Sequence, residues 1–215
     1  MSTSTYISDL SEQELKVVNA ATGLFLSKGI RTVTLDNIAG KLGMSKKTIY
    51  AIFGTKAELV HSCVRLDLQK RMEEISVIQK QNYDAVEEML QIGKKVSAYL
   101  RLFSVNILEE LSKFYPQSWQ SVERYKDEVI NKIILANLQK GKESGLYRQN
   151  LNEKLVAHIF MSFMDSAMMQ HSVLKTKASL NDIYSEHLLM HMYAICSEDG
   201  RAQLEQLLNT IRLSS

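Results

Sequence analysis

Apolar residues recur at helical spacing near the beginning of the chain. Between Ser11 and Gly29 they fall on one face of a helix, at Leu15, Val18, Ala21 and Phe25. The segment Ser11-Glu12-Gln13-Glu14 has the S-x-x-E pattern of a capping box, which stabilises the first turn of a helix. The pattern therefore predicts a first helix that begins at Ser11, ends near Gly29 and buries this one stripe of apolar side chains.

Two short amphipathic helices are predicted next. Thr34 is placed to cap a helix with an inward face made by Leu35, Ile38, Ala39 and Leu42, and Gly43 suits a left-handed cap at its end. Ser45 is placed to cap a third helix, whose apolar residues are Ile49, Ile52 and Phe53.

Long helices are predicted for the rest of the chain. After Gly54, the T-x-x-E segment that begins at Thr55 is a second capping box, and it opens a helix that extends to about Gln81. Further helices are predicted at about 83–113, 117–143, 151–174 and 180–197, with a break at Pro116 and a final helix after Gly200. The pattern predicts an all-α fold.

Composition agrees with this fold class. The 215 residues include one Pro and nine Gly, which leaves little material for tight turns, and 45% of the residues are hydrophobic, which is enough to bury a real core. The net charge of +2 is too small to indicate a nucleic-acid partner by itself. The charge is unevenly distributed, because the segment from Lys28 to Lys56 holds six basic residues and one acid, Asp36.

The first residues lack the basic start and apolar stretch of a signal peptide. No apolar run approaches the roughly 20 residues that a membrane-spanning helix requires. We therefore expect a cytoplasmic protein without a membrane partner, in which Cys63 and Cys196 are reduced thiols.

Residues 34–53 satisfy the mechanical requirements of a helix-turn-helix. Ala39 is small where two helices must cross closely, Gly43 lies at the turn, and apolar residues are available to hold the angle between the helices. An ordinary helical hairpin in an all-α core would be satisfied by the same apolar residues. It would not explain the residues that face outward.

The outward face of the third helix is basic, hydroxylated and aromatic. Helical spacing places Lys47 and Ala51 opposite the apolar residues, with Lys46, Thr48 and Tyr50 on the flanks. Lysine can donate to guanine in the major groove, and hydroxyl groups can reach phosphates. The alternative is a solvated lysine face with no partner.

The segment from Thr32 to Leu59, TVTLDNIAGKLGMSKKTIYAIFGTKAEL, resembles the DNA-binding signature of the TetR (tetracycline repressor) family. The resemblance covers the helix order, the S-K-x-T-I-Y core, the following Phe53 and the T-K-x-E-L entry into the fourth helix. It implies base contacts at the two lysines, packing of the tyrosine on DNA, and phosphate contacts at two threonines and a third lysine. The implied DNA contacts are Thr34, Lys46, Lys47, Thr48, Tyr50 and Lys56.

The sequence departs from the usual family pattern at three positions. Ala51 and Ile52 stand where His or Tyr is common, so one phosphate contact is missing from the expected set. Lys47 replaces a residue that is often small, which adds charge to the DNA-facing side.

The resemblance also implies a domain organisation and a function. A three-helix helix-turn-helix domain at 1–55 is expected to precede a larger helical ligand-binding and dimerisation domain at 56–215. We expect a ligand-responsive repressor that binds a palindromic operator in double-stranded DNA as a homodimer, joined through about 151–174 and 180–197. The alternative is a helical architectural or interaction protein that binds DNA without regulating a promoter.

Aromatic and thioether side chains are concentrated in the middle and late helices. Such surface suits a small apolar effector, although core packing is the ordinary explanation for any one of these residues. The candidate ligand-binding residues are Tyr99, Phe103, Tyr115, Trp119, Met161, Met164 and Met168.

Other chemistry is weakly indicated. His187 and His191 have the spacing of two metal ligands on one helix, and His158, His171 and Cys196 are further candidates, but no acidic residue occupies a convincing third position. A redox pair of Cys63 and Cys196 has little local support beyond Arg65. The sequence contains no phosphate-binding loop or catalytic motif, so we expect no enzyme activity, no cofactor and no metal site.

Overall fold

The computed structural model describes residues 10–101, 106–169 and 178–213, and most of these residues are helical. A short antiparallel bridge also pairs Tyr147 with Cys196. The prediction of an all-α protein is confirmed. The helices are α1 (Glu12–Lys28), α2 (Leu35–Leu42), α3 (Lys46–Phe53), α4 (Lys56–Gln79), α5 (Ala85–Arg101), α6 (Asn106–Phe114), α7 (Pro116–Val129), α8 (Leu135–Glu143), α9 (Glu153–Met169), α10 (Leu180–Ile195) and α11 (Glu198–Leu213).

The first three helices begin where the capping residues predicted. The side chains of Ser11, Thr34 and Ser45 each accept a hydrogen bond from the backbone N–H three residues further along the chain. Gly43 ends α2 in the left-handed conformation, with φ 64° and ψ 26°. Local sequence signals therefore fix the bounds of these helices.

The later helices differ from the prediction in their bounds. Two helices, α5 and α6, occupy the span predicted as one helix at 83–113, and residues 102–105 lie outside the described part of the chain. Pro116 is the first residue of α7, a position where a missing N–H costs nothing. The last helix begins at Glu198 instead of after Gly200, because the Ser197 hydroxyl accepts from the Gly200 N–H at 3.1 Å.

A π-helical turn, Ile130–Ile134, joins α7 to α8. Ile130, Ile133 and Ile134 are buried in this turn, so three apolar side chains of one short segment point inward. An ordinary α-helix was predicted through this region, at 117–143.

The described chain divides into two compact units. The first unit comprises Met1–Glu74 and Leu102–Tyr125, and the second comprises Ile75–Arg101 and Lys126–Ser215. The compact unit that holds α2 and α3 thus extends well beyond residue 55. The functional division into a DNA-binding domain at 1–55 and a regulatory domain at 56–215 stays a prediction.

The core of the first unit brings α1 to α4 together with α6 and α7. It contains residues from the first four helices and from the segment between α1 and α2, and three from α6 and α7. Its most deeply buried members include Val17, Val18, Ala21, Ile30, Val33, Ile38, Ile49, Leu59, Val60, Ile107, Leu111 and Val122. Burial of these side chains holds α3 against α1 and α2.

A buried polar network links three segments of the second unit. The Asn137 amide donates to the Ala85 carbonyl and to Glu88 Oε1, each at 2.9 Å, and the Tyr147 hydroxyl donates to Asn137 Oδ1 at 2.8 Å. Lys140 pairs with the other Glu88 oxygen at 2.7 Å, which offsets the cost of burying this carboxylate. Burial raises the pKa of Tyr147 well above its ordinary value, so the phenol remains a donor.

Within the described residues, no helix has both the length and the apolar character required to span a membrane.

We predict that Asn137→Ala destabilises the protein by about 1 to 3 kcal/mol, because buried Glu88 Oε1 loses its amide donor and the Tyr147 hydroxyl loses one of its two acceptors. Chemical denaturation measures this loss. Gln139→Ala on the same helix is the matched control, because its side chain is exposed and contacts the Glu143 carboxylate at 2.9 Å. Equal stability of the two variants would contradict the role assigned to the network.

Candidate nucleic-acid interface

The third helix presents the side chains expected from its helical spacing. Ile49 and Phe53 are buried and Ile52 is half-buried, whereas Lys46, Lys47 and Ala51 are exposed. Tyr50 is 45% exposed. The described structure therefore leaves a basic and aromatic face of α3 open to solvent.

Lys46 has a partner within the helix-turn-helix. Its ammonium lies 3.0 Å from Asp36 Oδ2 on α2, and this contact raises the pKa of the lysine. Both side chains are more than half exposed, and ion pairs of this kind contribute little to stability. The pair orients Lys46 at the beginning of α3 and can be exchanged for an external anion at small cost.

The two candidate threonines take part in helix caps. The Thr48 hydroxyl lies 2.8 Å from the hydroxyl of Ser45, which caps α3. Thr34 caps α2 in a reciprocal arrangement with Asn37, whose amide oxygen accepts from the Thr34 N–H at 2.8 Å. Thr34 is exposed and Thr48 is half-buried. Both hydroxyls therefore lie at helix N-termini, where backbone N–H groups favour negative charge.

Lys56 contacts backbone carbonyls of the loop between α1 and α2. Its ammonium donates to the Ile30 carbonyl at 2.7 Å and lies 3.5 Å from that of Arg31. Burial lowers the pKa of Lys56, and the nearby Glu110 carboxylate opposes this effect. A role in holding this loop was not anticipated from the sequence.

Glu110 on α6 binds the backbone N–H groups of the same loop. One carboxylate oxygen accepts from the backbone N–H groups of Ile30, at 2.7 Å, and Arg31, at 3.0 Å. Gly29 has φ 81°, and a Cβ there would lie 3.4 Å from the carboxylate. This distance is ordinary van der Waals contact, so the positive φ is the reason that glycine suits this position.

A second contact joins α6 to this loop. The Arg31 guanidinium lies 4.6 Å from the centre of the Phe114 ring, within the range of a cation–π interaction. Together with Glu110, this contact makes α6 part of the platform that supports α2. The sequence held no signal for either contact, since 80 residues separate Ile30 from Glu110.

The structure distributes the predicted ligand-binding residues between the two units. Tyr115 and Trp119 pack against the first core. Met164 lies in the second core and Met161 packs against it, and Tyr99 also belongs to the second unit. Phe103 and the side chain of Met168 lie outside the described part of the structure. Core packing accounts for the observed placement of four of these residues.

Two histidines of α10 contact aromatic rings. The ring centres of His187 and Phe163 are 4.0 Å apart, and those of His191 and Phe160 are 4.6 Å apart. Burial is the main cause that lowers the pKa of His191, to about 4. Within the described residues, no group of three or more His, Cys, Asp or Glu side chains could hold a metal ion, and His171 lies outside them.

Both thiols are buried. Burial raises the pKa of Cys63 to about 12 and that of Cys196 to about 11, so both remain protonated near neutral pH. Such thiols are poor nucleophiles. Their environment gives no support to a redox pair.

Solved structures with the same arrangement of helices are known. A proposed transcriptional regulator from Saccharomonospora viridis, solved in complex with choline, has a TM-score of 0.70 and 18% identity over 88% of this chain and 100% of that chain. A TetR-family transcriptional regulator from Agrobacterium tumefaciens has a TM-score of 0.70 and 16% identity over 86% and 97% of the respective chains. At these identities the matches establish the fold.

Sequence comparison identifies the family. A protein of Bacillus subtilis (strain 168), described as an uncharacterized HTH-type transcriptional regulator, YvaF, is 25% identical over 173 residues, 79% of this chain and 80% of that protein. Residues 17–63 match the family model for bacterial regulatory proteins, tetR family. Together these matches support a TetR-family regulator. The protein is a DNA-binding transcriptional regulator. The matches to known regulators favour this function over that of an architectural DNA-binding protein.

The family match coincides with the part of the first unit described above. Residues 17–63 include most of α1, all of α2 and α3 and the beginning of α4. TetR-family regulators bind DNA operators and typically act as dimers with small-molecule effectors. They are typically not enzymes.

We predict that Glu110→Ala weakens the support of the α1–α2 loop. Two backbone N–H groups lose their acceptor, which costs about 1 to 3 kcal/mol of stability. Amide hydrogen exchange at Ile30 and Arg31 should accelerate. Glu109→Ala is the matched control, because Glu109 lies beside it in sequence and its exposed carboxylate pairs with Lys113. Unchanged exchange in Glu110→Ala would refute the assigned role.

Proposed function

We propose that this TetR-family regulator is a ligand-responsive repressor that binds a pseudo-palindromic operator as a homodimer. The observation that carries the proposal is the exposed face of α3, where Lys46, Lys47 and Tyr50 are open to solvent beside an apolar helix-turn-helix core. The ion pair of Lys46 with Asp36 is itself exposed and contributes little to stability. An α-helix with such a face fits the major groove of B-DNA.

The proposed DNA contacts divide into two classes. Lys46, Lys47 and Tyr50 belong to the exposed part of α3. The two lysines are assigned to base edges, and Tyr50 is assigned to base edges or to the DNA backbone. Thr34, Thr48 and Lys56 are assigned to phosphates, because the threonines lie at helix N-termini. Lys56 has further N–H groups for a phosphate beyond the one that donates to Ile30.

We predict that Lys46→Ala and Lys47→Ala each weaken operator binding by about 1 to 3 kcal/mol if a base contact is lost. Affinity for unrelated DNA should fall less. Lys56→Ala should reduce affinity for both kinds of DNA and lower the salt slope by about one. Titration of operator and scrambled duplexes at several salt concentrations separates these effects.

Lys80→Ala provides the control for these lysine variants, because it removes the same charge from an exposed position outside α3. It should leave operator affinity and the salt slope unchanged. If all three test variants behave like Lys80→Ala, the assignment of α3 as the recognition helix is wrong.

The dimer is proposed to form through α9 and α10. Large apolar side chains are exposed along both helices: Leu155, Ile159 and Phe163 recur every four residues on α9, and Met190 and Tyr193 lie three apart on α10. Met190 is 69% exposed and Ile159 is 58% exposed. Exposed apolar patches of this kind mark interaction surfaces, and a second copy would cover both helices in a four-helix interface.

We predict that Ile159→Glu combined with Met190→Glu shifts the protein from dimer to monomer, because charged side chains would be buried without partners at the interface. Sedimentation at micromolar concentration measures the shift. Val77→Glu is the control, since Val77 is equally exposed, at 58%, but lies on α4. A wild-type chain that sediments as a 24.5 kDa monomer would contradict the proposed dimer.

The proposed effector is a small molecule. The Saccharomonospora viridis neighbour was solved with choline, which supports binding of a small molecule by this fold. Repression relieved by a ligand requires that the ligand bind the DNA-bound and DNA-free states with different affinity.

A further inference from the structure

One acidic side chain lies among the basic residues of the helix-turn-helix. The segment from Lys28 to Lys56 contains six basic residues and a single acid, Asp36, in the first turn of α2. The Asp36 side chain is 60% exposed, so it does not fill the core. The side chains of Thr34 and Asn37 form the cap of α2, so Asp36 is not required there either. A carboxylate on a surface assigned to a polyanion therefore calls for a physical reason.

The Asp36 carboxylate contacts the first residue of the next helix. Its Oδ2 accepts a hydrogen bond from the Lys46 ammonium at 3.0 Å, across ten residues of sequence. α3 begins with Lys46 and Lys47 and has no acid in its first turn, so both positive charges lie near the positive end of the helix dipole. The hydrogen bond to Asp36 raises the pKa of Lys46. Asp36 thus gains from the dipole of α2 and also offsets the charge at the beginning of α3.

The Lys46 ammonium can bind Asp36 and a second acceptor together. An ammonium has three N–H groups, and Asp36 accepts from one of them. The Lys46 side chain is 53% exposed, so a further acceptor can approach it from solvent. A base edge of the operator and a phosphate of any duplex are the two kinds of acceptor that DNA offers. The position in which Asp36 holds the ammonium therefore influences which of them Lys46 contacts.

We propose that Asp36 is a positioning residue that increases the discrimination between the operator and unrelated DNA. Its carboxylate holds the Lys46 ammonium in the position from which it reaches a base edge, and keeps it away from the phosphates. The proposal rests on the proposed function, because it takes Lys46 to be a base contact.

The strength of the ion pair limits the size of this effect. The free protein and the operator complex both contain the pair, so its strength cancels in operator binding. On unrelated DNA, Lys46 either keeps Asp36 or exchanges it for a phosphate. The exchange is nearly balanced, because exposed pairs of this kind are weak. Removing the carboxylate therefore increases the affinity for unrelated DNA by no more than the pair contributes, about twofold to fivefold.

Titration of two duplexes with the full-length Asp36→Asn protein tests the proposal. The operator probe is the duplex that the wild-type protein selects from a random-sequence pool, and the second probe is its scrambled sequence. The variant should bind the scrambled duplex about twofold to fivefold more tightly than the wild type does. Its affinity for the operator should not rise. The salt slope on the scrambled duplex should become steeper by about one, because the freed Lys46 contacts a phosphate.

Two lysine backgrounds show whether the effect passes through the ion pair. In a Lys46→Ala background, Asp36→Asn frees no lysine, so the salt slope on the scrambled duplex should not change. In a Lys47→Ala background the slope should still become steeper, because Asp36 pairs with Lys46. An equal change of slope in both backgrounds would overturn the proposal, since the carboxylate would then act on DNA directly.

Asp199→Asn is the matched control. Asp199 is exposed and, like Asp36, is the second residue of its helix, but it belongs to α11 in the second unit. This variant should bind both duplexes with the affinity and salt slope of the wild type. Circular dichroism should show that both variants are folded, because neither aspartate is buried. A gain in affinity equal to that of Asp36→Asn would reflect net charge alone and would contradict the role of Asp36.

The outcomes separate this role from the proposed function. If the wild-type protein selects no duplex, or if Lys46→Ala leaves operator affinity unchanged, the proposed base contact is wrong, and the role of Asp36 fails with it. If Lys46→Ala weakens operator binding but Asp36→Asn leaves binding to the scrambled duplex unchanged, only the role of Asp36 is wrong. If Asp36→Asn instead weakens operator binding about tenfold and changes nothing else, Asp36 itself contacts a base, which also overturns the proposal.

Discussion

The hydrogen bonds between Glu110 and the α1–α2 loop are the contacts on which the first unit most depends. A single carboxylate oxygen accepts from two adjacent backbone N–H groups, those of Ile30 and Arg31, and one of these lies in a part-buried setting. Charge-assisted hydrogen bonds are stronger than neutral ones. Because the loop leads directly into the Thr34 cap, the position of α2 depends on a residue from α6.

Lys56 and Glu110 act on this loop as a complementary pair. The lysine donates to a carbonyl of the same peptide segment whose N–H groups donate to the glutamate. Ile30 and Val33 of this loop are buried, so the backbone groups of the loop need hydrogen-bond partners within the protein. The two charged side chains supply such partners. Replacing Lys56 or Glu110 by a neutral residue removes the partner of these backbone groups. This explains why Lys56 cannot be understood only as a phosphate contact.

The helix-turn-helix could be predicted because its signals are local. Ser11, Thr34 and Ser45 cap the beginnings of three helices, and Gly43 caps the end of one. Each of these residues lies directly beside the helix that it caps, so the helix bounds can be predicted from the local sequence. The contacts of Glu110 depend on residues that the fold brings together, and the periodicity of the sequence gives no sign of them. The packing of α6 and α7 into the compact first unit is long-range too, so no local sequence signal indicates it.

The contacts of the α1–α2 loop make the DNA-binding face depend on two other helices of the first unit. α4 carries Lys56 in its first turn, and this lysine donates to the Ile30 carbonyl. α6 supplies Glu110, which accepts from the Ile30 and Arg31 N–H groups. A small change in the position of α4 or α6 would alter these hydrogen bonds, and with them the placement of α2 and α3. A difference of this kind between two states is what coupling to a second site requires.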